Sequence, residues 1–436
     1  MQVTRKEIAP LVFLTCLTTD KFKTGSLRLC LLDQLNRENA AKNALIPQVL
    51  RRGSARHPEL DSIALALDEL YGARIEPVVT RMGEIQLTGF AASCIDDAFA
   101  PGGESVLRET AALLCELLLE PNTRGGLLLP RYVDSEREKL LDRIRGVVNN
   151  KRTYSLHRLR ELMCFGEDYA VPAEGTEAEA ESIGYQKLTR RYREMLSAAP
   201  IEILYCGSVG FAAVEEIFRN ALETLPRSEE FADLGTDVRL NTVEDAPRYY
   251  TEEMDVTQGK LALGFRLGDY FEDEHLPAIQ VMNALYGGSV NSKLFMNVRE
   301  KLSLCYFASS GIDEHKGVML VSSGIEFDKY DVALREILAQ LESVQRGEFT
   351  DEELTAARKS VSSDLRALPD TPDALLHFWL GQNLRGFEYG PEELAELIET
   401  VTAEEVVAAA KSVRCDAVYF LKGLEKEAAE NAENAL

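Results

Sequence analysis

Short runs of alternating hydrophobic and polar residues, separated by longer amphipathic stretches, recur in both halves of the chain. "SLRLCLL" (Ser26–Leu32), "EIQLTGFAA" (Glu84–Ala92) and "IEILYCGSV" (Ile201–Val209) have the period-two pattern of strands. Between them, apolar positions return at helical spacing over Glu59–Tyr71, with Gly72 as a C-cap. The same spacing holds over Glu104–Leu119, Asp134–Val148, Tyr154–Phe165 and Val214–Leu222. Residues 43–50, "NALIPQVL", read as an apolar helix that starts or breaks near Pro47. The apolar run Pro10–Leu17 is too short to cross a bilayer and lacks a small-residue cleavage site, so it reads as a strand rather than a signal peptide.

Residues Pro226–Pro247 are acidic, polar and weakly periodic, the character of a linker. The pattern then restarts. Lys260–Gly268 and Val318–Glu326 read as strands, and Leu276–Leu285, Lys329–Arg346 and Asp351–Leu368 as helices. Thr350 with Glu353, and Thr402 with Glu405, form capping-box patterns. Asp416–Gly423 closes the chain as a strand, and the Ala/Glu-rich tail from Glu425 is expected to fray. Both halves share one weak order of elements without an identity repeat. This predicts two similar α+β domains, 1–225 and 248–436, joined by the linker 226–247.

Charge removes some function classes. Against 48 bases stand 72 acids, a net charge of −24. A nucleic-acid binder needs a basic face and an anionic membrane attracts one, so neither is expected as a partner. The eight cysteines contain no C-x-x-C pair and several lie in apolar runs. Buried free thiols of this kind fit a reducing cytoplasm.

The stretch richest in candidate chemistry is "LYGGSVNSKLFMNVREKLSLCY" (Leu285–Tyr306). A glycine pair, Gly287–Gly288, opens a polar turn. Leu294, Phe295 and Val298 follow at helical spacing, then Arg299 near a helix end and Tyr306 entering a strand. An Arg and a Tyr so placed could point into one cleft. They could equally be a surface Arg and a half-buried Tyr that share nothing, and spacing alone favours that second reading.

These residues resemble the C-terminal-domain signature of the pitrilysin/insulinase-type zinc peptidases, close to "LGGGxxSRLFxxxREKxGLxY". The chain keeps Gly287, Gly288, Ser292, Lys293, Leu294, Phe295, Arg299, Glu300, Lys301, Leu304 and Tyr306. The resemblance covers nearly the whole chain, most closely here. It implies two related domains, each a mostly antiparallel sheet packed with helices, forming one half of a clamshell. It also implies that Arg299 and Tyr306 contact substrate near the scissile bond, opposite a zinc.

The family's zinc signature, H-x-x-E-H on one helix face with a distant Glu as third ligand, is a water-activating site with an open position. Aligned on Leu50, Gly53 and Ser54, it falls on "ALIPQ". The ligand positions become Ala44 and Gln48 and the base becomes Pro47, none of which fits its role. The third ligand falls on Arg143, a cation. The five histidines, His57, His157, His275, His315 and His377, include no pair at helical ligand spacing. The expectation is therefore no metal on this chain. There is also no P-loop, G-x-G-x-x-G or G-x-S-x-G elbow. Trp379 reads as core, and Cys305 as a small inward-facing strand residue.

The pattern suggests a zinc-free subunit, inactive alone, of a two-chain peptidase. A homologous partner bearing H-x-x-E-H would hold the zinc, while Arg299 and Tyr306 would bind the peptide and stabilise the oxyanion. The alternative is a non-enzymatic peptide-binding or scaffold protein on the same fold.

Overall fold

A computed structural model describes residues 1–424; the tail expected to fray from Glu425 lies outside them. The described residues divide into two compact units, each built on one sheet.

Unit 1 carries β1 (Gln2–Ala9), β2 (Val12–Thr18), β3 (Thr24–Gln34), β4 (Arg74–Met82), β5 (Ile85–Ile95) and β6 (Ile201–Gly207), in the spatial order β1-β2-β6-β3-β5-β4. Unit 2 carries β7 (Arg248–Met254), β8 (Gly259–Arg266), β9 (Cys305–Asp313), β10 (Val318–Ile325) and β11 (Arg414–Gly423), in the order β7-β11-β8-β10-β9. Set β1 aside, and both sheets run first strand, last, second, fourth, third. In each, the first and last strands pair in parallel and every other pair is antiparallel. The weak shared order in the sequence thus corresponds to one topology used twice.

The helices are α1 (Ala40–Leu50), α2 (Leu60–Glu69), α3 (Val106–Leu119), α4 (Pro130–Gly146), α5 (Lys151–Met163), α6 (Glu177–Glu181), α7 (Tyr185–Ala198) and α8 (Phe211–Ala221). They continue with α9 (Leu276–Asn283), α10 (Tyr330–Gln345), α11 (Asp351–Ala367), α12 (Pro372–Arg385), α13 (Pro391–Thr400) and α14 (Ala403–Ser412). None is long and apolar enough to cross a membrane. Two helices belong to the sheet that their place in the chain would not suggest. Residues 147–166, with α5, belong to unit 2, and residues 367–390, with α12, belong to unit 1.

That exchange explains why β3 is apolar on both faces. Leu27, Leu29 and Leu31 enter the main core with α1, α3 and α7, while Cys30 and Leu32 face Leu375, Leu376, Trp379 and Leu380 of α12. A strand covered twice needs near-continuous hydrophobicity. Trp379 is core, and all eight cysteines are unpaired thiols. Both capping boxes form, with the Thr350 and Thr402 backbones donating to Glu353 at 2.8 Å and to Glu405 at 2.7 Å. Sequence missed the strands β1, β4 and β7 and the helices α7, α12 and α13. It also expected a break or start at Pro47, yet α1 runs through that residue unbroken.

In unit 2 the first-order constraint is electrostatic. Arg266 on β8 is fully buried, and its Nε donates to Asp416 Oδ2 on β11 at 3.0 Å. Asp416 Oδ1 also accepts from Arg248 Nη2 of β7 at 2.7 Å, and Arg248 reaches the Met163 carbonyl at the end of α5 at 2.9 Å. Three strands and a helix end therefore meet on one carboxylate. Next to it, a Cβ on Gly264 would come within 2.2 Å of Met163 Sδ, so the bare glycine lets α5 settle on the sheet.

Two expectations follow. Asp416→Asn should cost about 3–5 kcal/mol in urea unfolding, because it removes the buried carboxylate charge that both Arg266 and Arg248 bond. His377 on α12 is held below its usual value by burial and by the charge of Arg28. In the unfolded chain it protonates near 6.5, and in the folded chain only lower. Stability should therefore fall as pH drops from about 6.5 through the lower folded value, and stay level in this respect above it. His377→Gln should flatten that limb of a pH-stability curve.

Candidate functional site

The stretch Leu285–Tyr306 is shaped by departures from regular geometry. After α9 the chain continues as two π-helical turns, Ala284–Gly288 and Leu294–Lys301. Their presence between β8 and β9 fills the slot that α1 and α2 fill between β3 and β4. The short helix expected from the spacing is thus present with a wider coil, and such coils are frequent at functional sites. The glycine pair serves close approach. A Cβ on Gly287 would sit 2.6 Å from Ser310 Oγ and 2.9 Å from its backbone nitrogen, and one on Gly288 would sit 2.6 Å from Asn283 Nδ2. Leu294 and Val298 are fully buried, and the buried Lys293 is anchored to Glu353 at 3.1 Å.

The second π-helical turn ends abruptly. Ser303 lies at φ 50°, left-handed, where the family form has glycine. Its N–H returns to the Arg299 carbonyl at 3.1 Å, and the Leu304 N–H reaches the Val298 carbonyl at 3.0 Å. The chain then enters β9, an edge strand. Cys305 pairs with Ile325 and Phe307 with Gly324, leaving Tyr306 as the extra residue of a β-bulge. A bulge breaks the alternation and re-aims a side chain. Here it turns Tyr306 outward, 62% exposed.

Tyr306 is not idle. Its hydroxyl donates to Glu326 Oε1 at 2.5 Å, and that bond pushes the phenol above its ordinary value, so it stays protonated. Arg299 lies with its guanidinium 4.6 Å from the Phe295 ring centroid and its Nε 3.6 Å from Glu300. The two candidate residues do not bond each other among the described residues; each has its own partner. Arg299 is nevertheless close enough for its charge to act on the Cys305 thiol, whose pKa burial raises and which Ser323 and Arg299 lower in part. A thiol held up in this way is a poor nucleophile, in line with Cys305 as a strand residue. Glu326 as the phenol's partner was not legible from local pattern, because that pairing depends on the bulge.

The positions expected to lack zinc chemistry lie on α1 and α4, which pack together in unit 1. Ala44 is fully buried and Pro47 is buried within the helix. Arg143 Nε pairs with Glu174 Oε1 at 2.9 Å. A methyl, a pyrrolidine, an amide at Gln48 and a guanidinium do not make a metal-donor set. The neighbouring interior is closed by a self-satisfied polar group. Asn43 donates to Asp33 at 2.8 Å and to Gln86 at 2.9 Å, and Arg191 bonds both Asn43 and Asp33. Its members come from three separate stretches of the sequence, around Asp33–Asn43, Gln86 and Arg191, which is why the sequence did not signal it. Elsewhere among the described residues one group, Glu272, Glu274 and His275, comes within metal-holding distance. Both its carboxylates are exposed, and the imidazole is stacked on Tyr270 at 3.9 Å.

Comparison with known proteins agrees with this arrangement. Residues 182–361 match the family described as Peptidase M16 inactive domain. A relative in Bacillus subtilis (strain 168), named "Probable inactive metalloprotease YmfF", is 32% identical over 411 residues, spanning 93% of this chain and 95% of its own. The crystal structure of a conserved protein from Enterococcus faecalis V583 superimposes with a TM-score of 0.88 at 28% identity, covering 98% of this chain and 99% of that one. The structure of a peptidase M16 inactive domain from Pseudomonas fluorescens shares the fold, with a TM-score of 0.79 at 15% identity over 97% of this chain and 99% of that one. With a relative this similar over its whole length, and with the Leu285–Tyr306 signature in place while Ala44, Pro47 and Gln48 stand at the metal positions, the chain belongs to the pitrilysin/insulinase-type (M16) metallopeptidase family as a member without the zinc-binding motif.

Proposed function

We propose that this chain is the zinc-free subunit of a two-chain peptidase of the cytoplasm, paired with a homologous H-x-x-E-H subunit and acting on peptides. Metal and hydrolytic chemistry belong to the partner on this reading, and no step runs through a metal on this chain. The observation that carries the proposal is Tyr306. A bulge exposes it, its phenol is kept protonated, and Arg299 stands near the start of the same strand. An exposed, protonated phenol is a ready hydrogen-bond donor. Released from Glu326, it serves a substrate carbonyl or the oxyanion that develops from it, while Arg299 holds the peptide backbone. Preorganised donors of this kind are typically worth roughly 3–4 kcal/mol in a transition state.

A second reading has an observation of its own. In this structure the Tyr306 hydroxyl is already committed to Glu326, which suits a protein that binds peptide or scaffolds an assembly without cleaving anything. Affinity purification from the native cell with mass spectrometry separates the two. A stoichiometric H-x-x-E-H chain co-eluting supports the two-chain peptidase, and elution alone supports the scaffold.

If the peptidase reading holds, Tyr306→Phe should lower turnover of the assembled complex at least about tenfold without dissociating it. Unchanged turnover in single-turnover assays would remove Tyr306 from the chemistry. Separately, Glu326→Gln should bring the Tyr306 titration, followed by ultraviolet absorbance, back down towards the ordinary tyrosine range.

A further inference from the structure

With 72 acids against 48 bases, this chain offers its cations carboxylates in plenty. Arg131, Arg145 and Arg366 each hold one or two. One corner of unit 2 departs from that habit. Lys151 and Arg152 open α5, and Lys260 stands near the start of β8. Among the described residues, the polar partners of all three are neutral. Lys151 Nζ lies 3.8 Å from Met254 Sδ, Arg152 Nη2 donates to Ser309 Oγ at 2.8 Å, and Lys260 Nζ donates to Gln258 Oε1.

Arg152 and Lys260 both lie against one aromatic ring. The Arg152 guanidinium lies 4.4 Å and the Lys260 ammonium 5.9 Å from the Phe307 ring centroid. Strand register explains the placement. Lys260 and Phe307 both pair with Gly324, from either side of β10. A Cβ on Gly324 would come within 2.6 Å of the Phe307 ring, so only a glycine lets the ring lie across the strand towards Lys260. Phe307 directly follows Tyr306.

Two features of this corner are unfavourable in the protein by itself. Cations in the first turn of a helix oppose its dipole, and that turn of α5 contains no acid. Burial also disfavours the charged form of Lys260, whose pKa is lowered. An anion placed among the three groups relieves both at once, since the helix end and the ammonium each gain an opposite charge. Arg152 is exposed and the two lysines partly so, which leaves them open to a ligand.

We propose that Arg152, Lys260 and the start of α5 form a carboxylate-recognition subsite for peptide, with Phe307 as its floor. The ligand is the C-terminal carboxylate of the peptide or an acidic side chain within it. This rests on the reading that the Tyr306 face holds peptide, and it adds what kind. Against the acidic background of the chain, which repels anions at large, such a local cluster gives selectivity rather than general attraction.

Fluorescence anisotropy on the purified full chain tests it, with a short labelled peptide that has a free C-terminus and one glutamate. Three variants are compared: the amidated peptide, the peptide with glutamine replacing glutamate, and the doubly neutral peptide. The doubly neutral form should bind about tenfold more weakly, the scale of a charge-assisted hydrogen bond. That difference should shrink with added salt and vanish in Arg152→Gln and, independently, in Lys260→Gln. Loss on amidation alone assigns the terminal carboxylate, and loss on glutamine replacement alone assigns the side chain. Equal binding of acidic and neutral peptides, or discrimination that survives in both variants, overturns the subsite and leaves the Tyr306 reading standing. No binding by any of the peptides overturns the peptide-holding reading, and the subsite falls with it.

Discussion

The Asp416 carboxylate is the constraint on which unit 2 depends. It is buried, it takes Arg266 from β8 and Arg248 from β7, and through Arg248 it holds the end of α5. Buried ion pairs add little net stability, but breaking one is costly, so they fix arrangement more than they strengthen it. Here they fix how α5 crosses the sheet. Midway along, Arg158 grips Glu252 of β7 at 2.6 Å, and at its start Arg152 reaches Ser309 on the far edge strand. A helix pinned at its end, middle and start delivers its first turn to one place, beside Phe307.

The candidate site is made of local irregularities held by a regular frame. A π-helical coil, a left-handed serine and a β-bulge follow one another within about a dozen residues of Leu294–Phe307. Each costs something on its own. A non-glycine residue in the left-handed region costs roughly 1–2 kcal/mol, and a bulge gives up ladder bonds. Lys293 on Glu353, Asn297 on Gln340 and the buried Leu294 and Val298 hold the segment in place regardless. The result is an exposed phenol at a sheet edge, where an ordinary strand residue would alternate between core and solvent.

What sequence made legible follows from what local patterns encode. Ser26–Leu32 announced a strand because its alternation puts Leu27, Leu29 and Leu31 on one face. Thr350–Glu353 and Thr402–Glu405 announced helix starts because a capping box is a local bond. The Leu285–Tyr306 signature announced the family because its glycines and buried positions are tied to one backbone path. The rest depends on contacts between distant residues. The amphipathic pattern of α5 says that one face is buried, but not against which sheet, and of α12 only Trp379 was legible, as a core residue. Tyr306 and Glu326 meet only because one extra residue shifts the register. Arg152 and Lys260, more than a hundred residues apart, share a ring only because Gly324 leaves room for it. Pro47 reads as a helix breaker by propensity, yet α1 continues through it, because burial on nearly every side outweighs one missing backbone donor.

The reciprocal placement of α5 and α12 bears on how such a chain is made. The chain passes between the two units five times, near Gly146, Gly166, Asp237, Arg366 and Gly390. Cys30, Leu32, Leu204 and Cys206 of the first sheet await a helix that emerges more than 150 residues after the last of them. During synthesis, when domains ordinarily fold in turn from the N-terminus, this sheet has one apolar face bare until α12 has left the ribosome. Neither half can be finished by itself. Completing this sheet therefore needs a long loop closure, slow by the logic of contact order, and until α12 is made the face that it covers is exposed apolar surface of the kind that makes folding intermediates prone to aggregate.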